Sequence, residues 1–354
     1  MTVSQPVVVR PDSGAACGLG HVQRCLALAS ALGERGVGCT FLVPEAMSVQ
    51  ARIRRAGFSV RELDDANDPE ELIAAAEGGS AVVVDSYCLG EDFLRALHEA
   101  SLVAVVLDDL AAFPIRCHLC VNGGAGAEAL PYRATNGDTR FLLGLRYTII
   151  RPELWDSVGH EPAETVSDVL VTLGSSDPHH LAPALLQGLD AIEAEFSVKL
   201  IVGPYFRDRR ALAQTAAACG RLVTLLDAPP SLVPFMHTAD LAISAAGQTV
   251  YELMRLAVPT VAIEIAENQR IGLEALAAAG AVRAPGRATD PELVPKVARA
   301  TADLVDEVSA RRALAHTAGA LLDGNGARRV AGAICELLSL RPSLNNTGTT
   351  PTRK

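Results

Sequence analysis

Short runs of β-branched and other apolar residues recur along the chain. Each is followed by a longer stretch in which Ala and Leu return every three or four positions. The runs have strand length and the stretches have helical period, and their alternation is the pattern of parallel α/β architecture. In the first half the pattern predicts strands at 7–9, 40–43, 59–62, 81–85, 103–107 and 119–122. Helices fill the intervals, as at 22–32, where Val22, Leu26, Ala29 and Leu32 share one face. A polar stretch at 156–167 interrupts the series. The second series has strands at 168–172, 198–202, 222–225, 241–243 and 260–265, with a short sixth run at 281–283. Two consecutive series of similar length predict two Rossmann-like domains facing across a cleft, at 1–155 and 156–340. The final segment, 341–354, is rich in Thr, Asn and Pro and reads as a disordered tail.

Composition narrows the function. A formal charge of −10 argues against a nucleic-acid partner, which needs a concentrated basic surface. The first 155 residues carry 13 Arg and no Lys against 19 Asp plus Glu, so no excess of positive charge awaits anionic lipid. No apolar run reaches transmembrane length and the start lacks a signal-peptide pattern, so the expectation is a soluble, cytoplasmic protein without membrane insertion. Nothing in the pattern demands an oligomer, and a monomer is compatible with it. The eight cysteines are scattered, and only Cys117 and Cys120 have metal or redox spacing. Without a second such pair the expectation is buried thiols and no metal.

Ligands of open α/β sheets bind where strands end and helices begin. The loop after the first strand runs from Arg10 and Asp12 through Gly18-Leu19-Gly20-His21 to Arg24. It has the first two glycines of a dinucleotide fingerprint but not the third. In their place stands an imidazole at a helix N-terminus, a position that favours a neutral ring able to accept a proton. A second loop, Ser244-Ala-Ala-Gly247-Gln248-Thr249, leads from strand to helix and offers free N–H groups to a diphosphate. Glu252 follows one turn on, where a carboxylate can accept both hydroxyls of a ribose. A third turn, Gly174-Ser175-Ser176-Asp177, faces the same cleft, with Asp177 equally suited to capping a helix. The amides Asn268 and Gln269, and the strand-end residues Asp85, Tyr87, Asp108 and Asp109, complete the set.

Taken in order, these blocks resemble the family of UDP-2,4-diacetamido-2,4,6-trideoxy-β-L-altropyranose hydrolases, enzymes of pseudaminic acid biosynthesis with relatives among spore-coat polysaccharide proteins. The likeness runs from about residue 7 to 285 and includes Asn122 and the segment Gly144 to Glu153. It implies a GT-B fold, with UDP in the second domain and the sugar near the first. Carried over by position, it implies that His21 is catalytic, with Asp12, Tyr87 and Asn268 about the sugar. Ser244, Gly247 and Gln248 would hold the diphosphate and Glu252 the ribose. Arg10, Gly20, Arg24 and Gln269 are expected on the substrate side, with Gly174 and Ser175 on the nucleotide side. Two positions depart from the family pattern, Ser86 in place of a histidine and Ser175 in place of a glycine.

The expected reaction is hydrolysis of a UDP-sugar, with His21 as general base for water and no cofactor. An inverting glycosyltransferase would use the same nucleotide site with an acceptor hydroxyl. A non-hydrolysing UDP-GlcNAc epimerase and a non-catalytic nucleotide-sugar-binding protein are further alternatives.

Overall fold

The computed structural model describes residues 6–14, 18–44, 47–65, 67–76, 81–100, 102–135 and 137–340. The expected tail at 341–354 lies outside them, as does Cys17. The chain forms two parallel sheets. The first contains β1 (Val7–Pro11), β2 (Cys39–Val43), β3 (Ser59–Glu62), β4 (Ala81–Asp85), β5 (Val103–Leu107), β6 (Leu119–Asn122) and β7 (Arg140–Leu143). Its order is β3-β2-β1-β4-β5-β6-β7. The second contains β8 (Asp168–Thr172), β9 (Ser197–Val202), β10 (Val223–Asp227), β11 (Leu241–Ala245) and β12 (Thr260–Ile263), in the order β10-β9-β8-β11-β12. The strand order reverses beside β1 in one sheet and beside β8 in the other, which opens a crevice at each point. The fold is of GT-B type, two Rossmann-like domains.

The helices of the first domain are α1 (Gly20–Gly33), α2 (Met47–Arg55), α3 (Pro69–Ala75) and α4 (Glu91–Glu99). Those that follow are α5 (Leu181–Asp190), α6 (Arg209–Ala218), α7 (Val233–Thr238), α8 (Gln248–Arg255), α9 (Arg270–Ala278), α10 (Leu293–Asp306), α11 (Val308–Leu321) and α12 (Gly326–Leu340). Central strands β1, β4, β5, β6 and β11 are buried throughout, as continuous apolar runs between two helical layers must be.

Two strand expectations need correction. Strand β7 was not foreseen, because its Arg-Phe-Leu-Leu sequence is an edge strand with an exposed first residue and no alternating signature. The run at 281–283 does not form a strand; Arg283 makes only an isolated bridge to Val261.

The C-terminal helix also departs from expectation. Helix α12, anticipated with the second series, packs on α1, and its Ala327, Val330, Ala331 and Ile334 join the core of the first domain. The chain therefore crosses between the domains twice. The crossings touch: a Cβ on Gly324 would lie 2.3 Å from the Trp155 carbonyl oxygen, and one on Gly326 would lie 2.0 Å from that of Thr148. Trp155 is buried and donates its indole N–H to the Ile150 carbonyl, while the Arg328 guanidinium lies 4.8 Å over its ring. Arg328 also pairs with Glu34 of the first domain and with Asp156 of the linker.

Because Ile334 is fully buried in the first-domain core, Ile334→Ala is expected to lower stability by about 2–4 kcal/mol through the cavity it leaves. Urea unfolding followed by tryptophan fluorescence measures this, since the single Trp lies at the interdomain crossing. An unchanged midpoint would mean that α12 contributes nothing to that core.

Candidate active site

The carboxyl ends of both sheets meet across a cavity of about 1140 Å³, lined by both domains. On the first-domain side, the chain leaves β1 and turns with Gly18 in the left-handed region (φ +73), then enters α1 at Gly20. A Cβ on Gly18 would stand 2.7 Å from the Ser175 hydroxyl, so only glycine lets this loop meet the second domain so closely. His21 falls in the first turn of α1, lines the cavity and is 4% exposed.

Its Nδ1 lies 2.5 Å from Asp85 Oδ1, at the end of β4. A carboxylate there holds the Nδ1 proton and leaves Nε2 as the ring nitrogen with a free lone pair. The sequence placed the tuning of this ring in the helix end alone; the structure adds an orienting carboxylate. Asp85 in turn accepts both Nε and Nη2 of Arg24, each at 2.6 Å. Burial pushes the Asp85 carboxyl up, but Arg24 and then His21 outweigh it and hold it well below the usual carboxylate range.

The network continues outward. Arg24 Nη1 reaches both oxygens of Asp109 at 2.9 Å. Tyr87 donates its hydroxyl to Asp109 at 2.7 Å and accepts from the Asn268 amide, a residue of the second domain, at 3.0 Å. The rings of Tyr87 and His21 meet edge to face at 4.4 Å. Burial, followed by the Asp109 charge, pushes the Tyr87 hydroxyl up, so it stays protonated as a donor. His21, Gly20, Arg24, Tyr87 and Asn268 are thus brought together at one wall. Asp85 and Asp109 join them; the signal for both was an acidic residue at the end of a strand.

Several expected residues take other roles. Arg10 and Asp12 do not line the cavity. Asp12 pairs with Arg10 and accepts from the Ser86 hydroxyl and the Tyr87 N–H, both at 2.9 Å. It therefore fixes the loop that carries Tyr87. Arg24, expected to bind substrate, spends its guanidinium on Asp85 and Asp109. Gln269 lines the cavity, but its Oε1 accepts the Ile265 N–H at 2.9 Å.

On the other wall, β11 ends at Ala245 and α8 begins at Gln248, with Gly247 before it. Gly247, Gln248 and Thr249 line the cavity, so the helix presents its N-terminal end there. Ser244 is fully buried and donates to the Ala245 carbonyl at 2.9 Å, while Gln248 donates to the Ile149 carbonyl at 2.5 Å. These two side chains shape the loop through bonds to backbone carbonyls. Glu252 is 1% exposed and its two oxygens accept Nε and Nη2 of Arg151 side-on, at 2.7 and 2.8 Å. A ribose could reach only lone pairs that Arg151 leaves over. Burial pulls Arg151 down, but Glu252 more than restores its charge.

Gly174 (φ +86) and Ser175 line the cavity beside this wall. Asp177 proves to be a cap, accepting the N–H groups of Leu181 and Ala182 at 2.9 Å. Asn122 is buried, its amide donating to Tyr132 and accepting from Gly124. Cys117 and Cys120 are buried in the core, and burial pushes the Cys117 thiol up to about 12. Among the described residues no three His, Cys, Asp or Glu side chains are grouped to hold a metal ion. Sequence reasoning overlooked Arg52 and Arg55 of α2, which line the cavity on the α1 side.

The Arg24–Asp85–His21 geometry predicts two separable effects of Asp85→Asn. Turnover should fall by about 10³–10⁴, the loss expected when the wrong imidazole tautomer is held. The stability contribution of Asp85 should also vanish. A depressed native pKa stabilises the fold fully above the unfolded-state value of ~3.9 and less as pH falls below it. The stability difference between wild type and variant should therefore be flat from about pH 5 to 8 and shrink below about pH 4. Denaturant melts across that range measure it; a gap that grows in acid would contradict the assignment.

No protein-family model matches the chain. It is 25% identical over 272 residues, 75% of its length, to a Helicobacter pylori protein described as a pseudaminic acid cytidylyltransferase and UDP-2,4-diacetamido-2,4,6-trideoxy-β-L-altropyranose hydrolase. It is 24% identical over 274 residues, again 75% of its length, to an uncharacterized protein of Methanocaldococcus jannaschii. The matches span 46% and 56% of those proteins, so the chain aligns with about half the length of each. Among solved structures, MurG of Acinetobacter baumannii superposes with a TM-score of 0.68 at 16% identity, covering 94% of this chain and 99% of that one. A spinosyn rhamnosyltransferase bound to spinosyn aglycone gives 0.66 at 16% identity, covering 94% and 99%. LpCGTa in complex with UDP gives 0.62 at 18% identity, covering 96% and 100%. These likenesses establish the two-domain glycosyltransferase-type fold.

Proposed function

We propose that the protein is an enzyme that hydrolyses a UDP-activated amino-deoxy sugar at its anomeric carbon, giving free sugar and UDP with inversion. The observation that carries this reading is the His21–Asp85 pair on one wall of a cavity whose other wall is the N-terminal end of α8. An oriented base faces a seat for a diphosphate. The hydrolase named in the Helicobacter pylori relative supports UDP-2,4-diacetamido-2,4,6-trideoxy-β-L-altropyranose, or a close analogue, as substrate.

The chemistry follows from the placement. A diphosphate is a good leaving group, so the protein must meet its developing charge and direct water. The N–H groups at the start of α8 supply the first. His21 Nε2 supplies the second: it takes a proton from water while Asp85 holds the Nδ1 proton. The carboxylates Asp85 and Asp109 are both held by Arg24, which makes them poor nucleophiles and leaves direct displacement by water. Tyr87 and Asn268, joined across the cleft, bound the space in which the sugar lies.

His21→Asn should abolish turnover, lowering it by more than about 10³, while UDP affinity changes little because base and diphosphate seat lie in different domains. Calorimetry with UDP and a UDP-release assay read the two quantities separately. Retention of more than a few per cent of activity would remove His21 as base. In ¹⁸O-water, with EDTA and no acceptor, label should enter the sugar and not UDP, and the fresh anomer should be inverted by NMR. Label in the UDP phosphate would mean P–O cleavage, and no reaction until an acceptor is added would replace hydrolysis with glycosyl transfer.

A further inference from the structure

Five arginines line the cavity, and three are neutralised in place: Arg24 by Asp85 and Asp109, Arg151 by Glu252, and Arg270 by Glu267. Arg52 and Arg55 are different. Among the described residues neither meets a carboxylate, and the one hydrogen bond of Arg52 is to the neutral Gln23 amide, at 3.2 Å. Arg52 is half-buried and Arg55 exposed at the same cavity, so both guanidinium charges stay available to an anion that enters it.

Their position says which anion. Gln23 sits on the first turns of α1, directly after the Gly18–Gly20 loop that meets Ser175 of the second domain. Helix α2 thus brings Arg52 against the first turns of α1, just after the loop that meets Ser175. Burial, and then the charges of Arg151 and Arg55, pull the Arg52 pKa down. Arg52, Arg55, Arg151, Ser175 and the first residues of α8 line the same cavity.

We propose that Arg52 and Arg55 form a cationic clamp, delivered by the first domain, that closes on the diphosphate of a nucleotide seated in the second. The inference rests on the nucleotide-sugar reading above. Arg52 and Arg55 supply positive charge from the first domain and α8 its N-terminal dipole from the second, so the diphosphate is gripped from both domains. Occupying the clamp draws the domains together, and UDP departure relaxes it. Gln23 positions Arg52 by holding Nη1.

The test is calorimetric titration of wild type, Arg52→Gln/Arg55→Gln and Arg52→Lys/Arg55→Lys with inorganic pyrophosphate, UDP and uridine. Thermal melts confirm that each variant folds. Wild type should bind pyrophosphate and UDP. The Gln pair should weaken both by at least about tenfold, the loss of one or two charge-assisted hydrogen bonds, and leave uridine unchanged. The Lys pair should recover part of the loss, and the salt dependence of UDP binding should flatten in the Gln pair. Equal UDP and pyrophosphate affinity in wild type and the Gln pair would overturn the clamp and leave the nucleotide reading intact. Arginine-dependent binding of pyrophosphate without UDP binding would uphold the anion site and remove the nucleotide reading. Wild type that binds neither would overturn both.

Discussion

The Arg24 guanidinium is shared between two carboxylates, and the first-domain half of the site takes its shape from that sharing. One edge holds Asp85, which orients His21; another nitrogen holds Asp109, which receives the Tyr87 hydroxyl. A buried ion pair of this kind is rarely worth more than well-packed apolar residues, because desolvating the charges costs as much as their attraction returns. Its contribution is positional. The Arg24, Asp85 and Asp109 charges sum to one negative, so a proton arriving on His21 brings the cluster to neutrality. The cluster is thus electrostatically suited to a positive charge on the imidazole.

The rest of the molecule holds the two walls in register. Arg151, on the linker, grips Glu252 of α8; Gln248 reaches the Ile149 carbonyl; Asn268 meets Tyr87. Each contact joins a helix or loop of the second domain to the first domain or to the segment that leads out of it. Such contacts use polar groups that sequence reading naturally assigns to a ligand. Polar side chains near a cleft can either touch what enters it or hold the cleft in shape, and the residue type is the same in both cases.

That ambiguity marks what was legible in the sequence. The strand and helix pattern gave both sheets, because buried parallel strands are continuous apolar runs and their period is unmistakable beside amphipathic helices. Edge strand β7 escaped for the opposite reason: one exposed Arg and four residues carry no period. His21 stood out through the glycines that precede it. Asp85 and Asp109 were visible as strand-end acids, but only the parallel placement of β4 beside β1 brings Asp85 to the imidazole. Asp12 was noticed, but it sits behind the wall and braces the loop of Tyr87, whereas Arg24 lines the cavity while holding two carboxylates. Arg52 and Arg55 lie on an ordinary amphipathic helix, and no local signal separates them from surface charge.

The return of α12 to the first domain bears on how the chain is made. Synthesis delivers the first sheet early, yet part of the core beside α1 is filled by residues between Ala327 and Ile334. Domains ordinarily fold in order as they emerge. Here the domain made before its partner carries an apolar groove along α1 until α12 has been made. During most of translation the second domain can close its own core while the first waits. Helix α12 is thus the piece that completes the first domain, and the apolar groove on α1 stays open to chaperones or to aggregation until it emerges.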